Sequence, residues 1–443
     1  MIRQNRKRQS GKSFIIRKGR STFNNSIILL VILFVTYLSF SPSLDNDFTN
    51  WDDPKYLTEN IQIKHLSLTN LRNIFSGKDL KGKSYVPLSQ LSFALEYHFF
   101  RLDPKIYHFN NLLLHLLNTA MVFWLILLLC QKLEVSIITA LLFGIHPLHV
   151  ESVAWLTERK DVLFSFFYMA SLISYVLYFT KDKYKPLFYF LTLLLFILSC
   201  LAKSSAVILP VILLVIDFFL NRKFNFKSII DKVPLFVFSF IWGIITTIKN
   251  KESIGSFETF TFLERMLFAF YGIVNYLYKL IVPVNLSCFY PYPNLIDGRL
   301  PIIFYVAPFI VLFLAFLVYK SVKHTKTVMF GALFFLFNVA LVLQLLPVGP
   351  AVVADRYTYI PYIGLFFIIG QGYSYLQNQK AKKFLILKQV SLIVLIGYIG
   401  TLSYLCHDRC KVWKNSHTLW TDMIKKYPDN HKGYLNRGEY YTD

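Results

Sequence analysis

Residues 184–220 read YKPLFYFLTLLLFILSCLAKSSAVILPVILLVIDFFL, two apolar runs separated by Lys203-Ser204-Ser205. A helix that crosses the hydrocarbon core of a bilayer takes roughly 20 apolar residues. Each run comes close to that length on its own side of the polar break. The pattern recurs along the chain, at about 26–42, 109–130, 134–149, 161–180, 184–202, 204–220, 233–248, 263–283, 301–319, 327–346, 357–375 and 384–405. Composition agrees: of 443 residues, 55% are hydrophobic, 17% aromatic and only 16% charged. Soluble domains carry about 25% charged residues. The chain therefore reads as an all-α polytopic membrane protein.

Two of the twelve stretches are weak. The run 134–149 is short and contains Pro147. The run 263–283 places Glu264, Phe268, Gly272, Asn275 and Lys279 on one helical face. Such a stripe suits a helix lying along the interface or lining a cavity, not one facing lipid. Charge counting favours eleven crossings. Residues 1–20 hold eight Lys/Arg and no acid, which predicts a cytoplasmic N-terminus. With 263–283 not crossing, the cytoplasmic segments (1–25, 130–134, 181–185, 217–232, 320–326 and 376–388) carry a net charge of +19 and the rest +3. Had 263–283 crossed, Lys320, Lys323, Lys326, Lys380, Lys382, Lys383 and Lys388 would all lie outside. The expected order is a basic cytoplasmic tail over 1–25, then a transmembrane domain over 26–405 with a first external loop at 43–108 and an interfacial helix at 263–283. An extracytoplasmic helical hairpin over 406–443 follows, built on Trp413, Leu419, Trp420 and Ile424, a Pro428-Asp429-Asn430 turn, then Tyr434 and Leu435.

The formal charge of +22 would raise nucleic acid as a partner in a soluble chain. Here the surplus lies between apolar segments and points to the lipid bilayer instead, with no nucleic acid. Five cysteines, at 130, 200, 288, 406 and 410, form no CxxC and no zinc-type cluster with histidine. Cys406 and Cys410, one helical turn apart, are expected as free thiols.

The polar residues near the membrane gather at the external ends of the spans: Asp45, Asp47, Trp51, Asp52 and Asp53, then His146 to Glu151, Glu158 to Asp161, Lys203, and Asp355-Arg356-Tyr357. Ionisable groups at membrane depth are costly and point to function. A carboxylate there can take a proton from an attacking hydroxyl, and Arg and Lys at the same level can hold a phosphate. Blander readings stand beside these. Asp53 precedes Pro54 and suits a helix N-cap, which leaves Asp52 as the better base. Lys203 fits a short external turn equally well, and Arg356 an ion pair with Asp355 at a helix start. His146 and His149 with one Glu fall short of a zinc site and suit backbone contacts in a Pro-kinked hairpin. Asn110, Asn111 and His115 suit helix–helix hydrogen bonds. No metal site is predicted. The acidic first loop fits a divalent cation or none, and no other cofactor is expected.

Trp51-Asp52-Asp53, Tyr107-His108-x-Asn110-x-Leu112-x-x-His115, the run from His146 to Trp155 with Arg159-Lys160-Asp161, Ala202-Lys203, and Ala354-Asp355-Arg356-Tyr357-x-Tyr359-x-Pro361 occur in that order. Together they resemble the transmembrane and tetratricopeptide-repeat O-mannosyltransferase-like proteins and their bacterial relatives, members of the GT-C membrane glycosyltransferases. The resemblance implies a GT-C-like bundle of about 11 transmembrane helices plus interfacial helices, with a short C-terminal tetratricopeptide-like hairpin. It implies an inverting transferase in a bacterial inner membrane. That enzyme would move a mannose-like sugar from a polyprenyl-phosphate-linked donor to a hydroxyl of a protein or glycan acceptor on the non-cytoplasmic face. By position it implies Asp52 and Asp53 as the catalytic acidic pair and Arg356, Arg159 and Lys203 as donor-phosphate contacts. Trp51, His108, Asn110, His146, His149, Glu151, Asp355 and Tyr357 would shape the pocket. Two other classes remain open from the residues: a lipid-carrier flippase or transporter, and a catalytically silent scaffold whose tail recruits a partner. A transporter would place its polar groups at the midplane of repeated halves, and no internal repeat is visible.

Overall fold

The structure, a computed structural model, describes residues 21–78, 80, 82–223, 225–250, 260–295, 297–345, 349 and 351–442. The basic run 1–20 lies outside them. Eighteen α-helices carry the described chain: α1 (Ser21–Phe40), α2 (Leu68–Ser76), α3 (Pro87–Phe100), α4 (Pro104–Cys130), α5 (Leu133–Ile145), α6 (Val150–Ala154), α7 (Arg159–Thr180), α8 (Lys185–Ala202), α9 (Leu209–Phe219), α10 (Phe226–Ile230), α11 (Val233–Lys249), α12 (Phe262–Ile281), α13 (Ile302–Ser321), α14 (Lys326–Ala340), α15 (Tyr362–Gln377), α16 (Leu385–Val412), α17 (Ser416–Lys426) and α18 (His431–Thr442). Two short strands, β1 (Tyr290–Pro291) and β2 (Ala351–Val353), pair antiparallel with Tyr290 opposite Val353.

Each of the twelve apolar stretches carries a helix, but the count of eleven crossings does not follow from helix length. Seven helical segments are long and apolar enough to span a bilayer: 24–45, 104–130, 156–180, 182–202, 228–249, 302–321 and 382–412. An eighth is the α5–α6 pair, bent by 52° around Pro147. α9, α14 and α15 have only 11, 15 and 16 residues, or roughly 16 to 24 Å at 1.5 Å per residue. Each is short because the chain leaves the helix near the same rim, at 203–208, 341–345 and 351–361. Irregular backbone at membrane depth is tolerated where it is buried in protein or lines a cavity.

Burial is arranged as a bilayer requires. The lipid-facing helices expose apolar side chains: Phe309 is 74% and Ile393 70% exposed. Polar groups such as Asn111, His115, Asn118 and Thr139 are buried between helices. α4 begins at Pro104 and takes in the last five residues of the expected first loop; at its start the Asp103 carboxylate accepts from the Lys105 amide at 3.1 Å. That is the usual Asp-Pro start of a helix. The rest of the loop is structured by α2 and α3. α12 opens with a capping box between Thr261 and Glu264, and its expected polar stripe faces protein: Phe268, Gly272 and Lys279 are buried.

α14 and α15 cross at Gly331 and Gly364. A methyl group built on Gly331 would lie 2.3 Å from the Gly364 carbonyl oxygen, and one on Gly364 would lie 2.4 Å from that of Gly331. Backbone cannot give way as a side chain can. Gly364→Ala is therefore expected to push the helices apart and destabilise the fold by about 1–3 kcal/mol, read as a lowered midpoint of thermal unfolding in detergent.

Candidate active site

Four helix breaks meet at one rim: Pro147–His149, Leu156–Glu158, Ser204–Ile208 and Asp355–Thr358, each a turn of 3-10 helix. They bring three carboxylates and three cations together. Arg356 donates from its backbone N–H to Glu151 Oε2 at 2.9 Å and from Nη1 to Glu151 Oε1. Its Nε lies 3.3 Å from Glu158 Oε1. Lys160 reaches the same Glu158 oxygen at 3.1 Å. Lys203 bonds Asp161 and lies 3.9 Å from Glu158 Oε2, and Ser152 donates to Asp161 at 3.1 Å. Glu158, 1% exposed, is the node of the network.

Arg356 faces two cavities. The larger, about 280 Å³, is lined by Trp51, Asp52, Lys55, Trp155, Cys288, Phe289, Ala351, Arg356 and Lys432. The smaller, about 30 Å³, is lined by Asp161, Phe164, Lys203, Ser205, Asn338, Arg356, Tyr357 and Tyr359 among others. Asp52 and Arg356 thus share a cavity, and Lys203 sits behind Arg356 with Tyr357 in the smaller one. A guanidinium has five N–H donors. Glu151 and Glu158 engage Nη1 and Nε, so Nη2 can meet a second anion.

Asp53 does not fill the capping role expected of it at the turn 54–58, and it lines neither cavity. Its Oδ2 instead accepts from the Thr49 N–H at 2.7 Å and the Thr49 hydroxyl at 2.9 Å, and it is 1% exposed. Asp53 therefore ties the 49–53 turn from inside and leaves Asp52 as the aspartate facing the cavity. Burial raises its carboxyl to about 6, the Thr49 bonds opposing.

Several other expected site residues are engaged by contacts within the protein. Arg159, expected at the donor phosphate, is buried away from both cavities. It pairs with Glu96 at 2.5 Å, donates to Asn111 and to the Tyr107 carbonyl at 2.9 Å, and lies 5.3 Å from the Phe93 ring centroid. Asn110 donates to the same Glu96 at 2.7 Å. His146 contacts the Leu280 carbonyl at 3.2 Å and accepts from the Leu148 N–H. His149 contacts the Phe143 carbonyl at 2.8 Å. His108 is fully buried beneath the first loop. Asp355 does not pair with Arg356. It accepts from the Tyr290 hydroxyl at 2.7 Å and faces Lys279 at 3.3 Å. Trp51 stacks on Trp155 at 4.4 Å, and Trp155 on Trp413 at 5.5 Å.

Glu158, the network's centre, stood among the polar residues at the span ends in the sequence but without a role of its own, and both lysines at the larger cavity, Lys55 and Lys432, went unnoticed there. The sequence reading also placed all membrane-depth polarity at one rim. A second ion cluster lies toward the other ends of α7 and α9: Lys232 and Arg222 meet Asp217 at 2.6 and 3.5 Å, and Arg222 also meets Asp231. Among the described residues no three His, Cys, Asp or Glu side chains form a metal-binding group. The five cysteines are all free.

A multi-pass helical bundle whose broken helices converge on a rim cavity defines the class: a membrane protein of the GT-C fold. It matches the oligosaccharyltransferase of Archaeoglobus fulgidus in the apo form with a TM-score of 0.52, covering 94% of this chain and 60% of that one at 11% identity. The match to the same enzyme tethered to an acceptor peptide also has a TM-score of 0.52, covering 95% and 59% at 13% identity. More particularly, its curated relatives are O-mannosyl-transferases. The chain is 25% identical to Homo sapiens Protein O-mannosyl-transferase TMTC3 over 437 residues, covering 87% of this chain and 46% of the relative. It is 24% identical to Homo sapiens Protein O-mannosyl-transferase TMTC4 over 494 residues, covering 94% and 64%. It is also 28% identical to Caenorhabditis elegans Protein O-mannosyl-transferase F38B6.6 over 293 residues, covering 61% and 40%. The chain spans about half the length of the curated relatives it matches. No protein-family profile matches it.

Two outcomes separate scaffold from site. Removing one partner of a buried ion pair costs about 3–5 kcal/mol, so Arg159→Met should sharply lower thermal stability by stranding Glu96. Asp53 has a folded-state pKa above its unfolded value, so its charge opposes folding once it ionises. That cost is absent below about pH 4 and complete above about pH 6. Asp53→Asn keeps an acceptor for Thr49 and should flatten the decline of thermal stability across this window, measured by a pH series of unfolding midpoints.

Proposed function

We propose that the chain is a membrane glycosyltransferase that moves a mannose-like sugar from a polyprenyl-phosphate carrier to a hydroxyl of a protein or glycan acceptor on the non-cytoplasmic face. The observation that carries the reading is that Asp52 and Arg356 line one cavity of about 280 Å³. The sugar class rests on the relatives, named as O-mannosyl-transferases. The lipid-borne donor rests on the fold match to an archaeal oligosaccharyltransferase in complex with a dolichol phosphate, at a TM-score of 0.50.

The chemistry follows from charge placement. Asp52 takes the proton of the acceptor hydroxyl as its oxygen attacks the anomeric carbon. The bond from that carbon to the phosphate oxygen breaks, and the electron pair leaves on the lipid phosphate. Attack opposite the leaving group inverts the anomeric centre. A phosphate is a good enough leaving group that no second acid is required. Arg356 holds the growing charge, its position fixed by Glu151 and Glu158, so little reorganisation is needed as the bond breaks. Trp155 and Tyr357 lie 5.6 and 5.0 Å from its guanidinium and limit water around it.

A second reading, transport of the lipid carrier, would place its polar groups at mid-membrane on broken helices. The breaks here gather at one rim, which favours transfer over translocation. Asp52→Asn should cut transfer of labelled mannose from a polyprenyl-phosphate donor by about 10²–10⁴-fold, the usual worth of a general base. Unfolding temperature should stay unchanged. Turnover within twofold of the parent protein would remove Asp52 from the mechanism.

A further inference from the structure

The tail is fastened to the first loop at the residues that precede Asp52. Asp47 donates from its backbone to the Lys414 carbonyl at 2.8 Å, and the Asn50 N–H donates to the Ser416 hydroxyl at 2.8 Å. Asn50 Nδ2 donates to the Asn436 carbonyl at 2.7 Å, and its Oδ1 accepts from Trp420 Nε1 at 2.7 Å. Trp51 packs on Trp420 at 5.2 Å. These contacts carry α18 to the mouth of the larger cavity.

Lys432 sits there, in the first turn of α18. Its ammonium lies 4.9 Å from the Trp51 ring centroid and 4.4 Å from that of Phe289, and it lines the cavity with Asp52, Lys55 and Arg356. Those rings attract the ammonium, but its place on the helix opposes it. The start of a helix carries the positive end of its dipole. Burial lowers the affinity of Lys432 for its proton, with Asp52 opposing and Arg356 adding to the effect. No carboxylate lies within 4.0 Å of its nitrogen among the described residues. Arg356 is balanced by Glu151 and Glu158, so Lys55 and Lys432 face Asp52 across the cavity, an excess of positive charge that an anion would neutralise.

We propose that the C-terminal hairpin is part of the donor site: Lys432 and Arg356 hold one phosphate monoester or diester group between them, in front of Asp52. The assignment deepens the proposed transferase reading and rests on it. Arg356 supplies fork geometry and Lys432 a point charge on a flexible stem. The tail thereby couples its own docking to donor binding, since Lys432 reaches the cavity only while Asn50 and Trp420 hold α18 in place.

The test uses the full chain in nanodiscs and the binding of a short polyprenyl phosphate, with the matching polyprenol and inorganic phosphate as controls. Lys432→Met, which keeps the apolar stem against Trp51 and Phe289, should weaken the polyprenyl phosphate about tenfold or more. Lys432→Arg should stay within a few-fold of the parent, and polyprenol binding should not change. Lys432→Gln carries the same expectation should the Met variant fail to fold. Undiminished binding in Lys432→Met, alongside weakened binding in Arg356→Lys, would overturn the role of the tail and leave the donor site standing. Undiminished binding in both variants would overturn the donor site as well. Equal loss of polyprenol affinity would show that Lys432 acts by packing, and overturns the proposal. Displacement of the probe by inorganic phosphate at similar concentration would overturn the lipid as its source.

Discussion

Buried charge needs a partner, and that demand shapes the rim of the bundle. Glu158, almost fully inaccessible, stands among Arg356, Lys160 and Lys203. Removing any one of them would strand a neighbour at a cost of several kcal/mol. A continuous helix cannot deliver these groups to one point, because residues three and four apart share a face while the rest turn away. The chain meets the constraint by breaking helices. Pro147 bends α5 from α6, Lys203 ends α8 in extended backbone, and Asp355–Thr358 turns ahead of α15. The freed backbone is satisfied locally: Ser89 donates to the Ala202 carbonyl at 3.0 Å and Trp242 to that of Cys200 at 3.2 Å.

A second, apolar constraint fixes the first loop. Trp51, Trp155 and Trp413 stack in sequence, with Trp420 against Trp51. Aromatic pairs of this kind contribute about 0.5–1.5 kcal/mol each beyond their buried area. The cluster joins the loop carrying Asp52, the α6–α7 junction and the tail, three segments far apart in sequence. Gly433 lets α18 close on α17, since a methyl group there would lie 2.8 Å from the Ile424 side chain. The hairpin expected from the sequence forms, but Tyr434 and Leu435, expected in its packing, are 47% and 59% exposed.

The apolar runs were legible because a bilayer imposes length and hydropathy on every span. Where the runs stop was less so: α9, α14 and α15 end early for tertiary reasons that no local window contains. At the site, Asp52 stood out once Asp53 had a rival role, and the structure gives Asp53 yet another, the inward tie to Thr49. Arg159 misled because a membrane-depth arginine looks the same whether it awaits a ligand or holds Glu96. Only the position of Glu96, 63 residues earlier, distinguishes them. Lys432 was hidden for the opposite reason. A lysine in a polar hairpin looks solvated until the hairpin docks.

The two buried ion clusters differ in a way that bears on function. Toward the far ends of α7 and α9, Asp217 and Asp231 face Arg222 and Lys232, and the Tyr175 hydroxyl donates to Asp217 at 2.7 Å. Two negative charges meet two positive ones, and the group holds α9 against α11 as a closed neutral pin. At the rim, Glu151, Glu158 and Asp161 likewise balance Arg356, Lys160 and Lys203. There, however, Arg356 turns toward a cavity whose remaining charges are Asp52, Lys55 and Lys432. Balance at one end and a positive excess facing open space at the other is what separates a structural ion cluster from a site built to receive an anion.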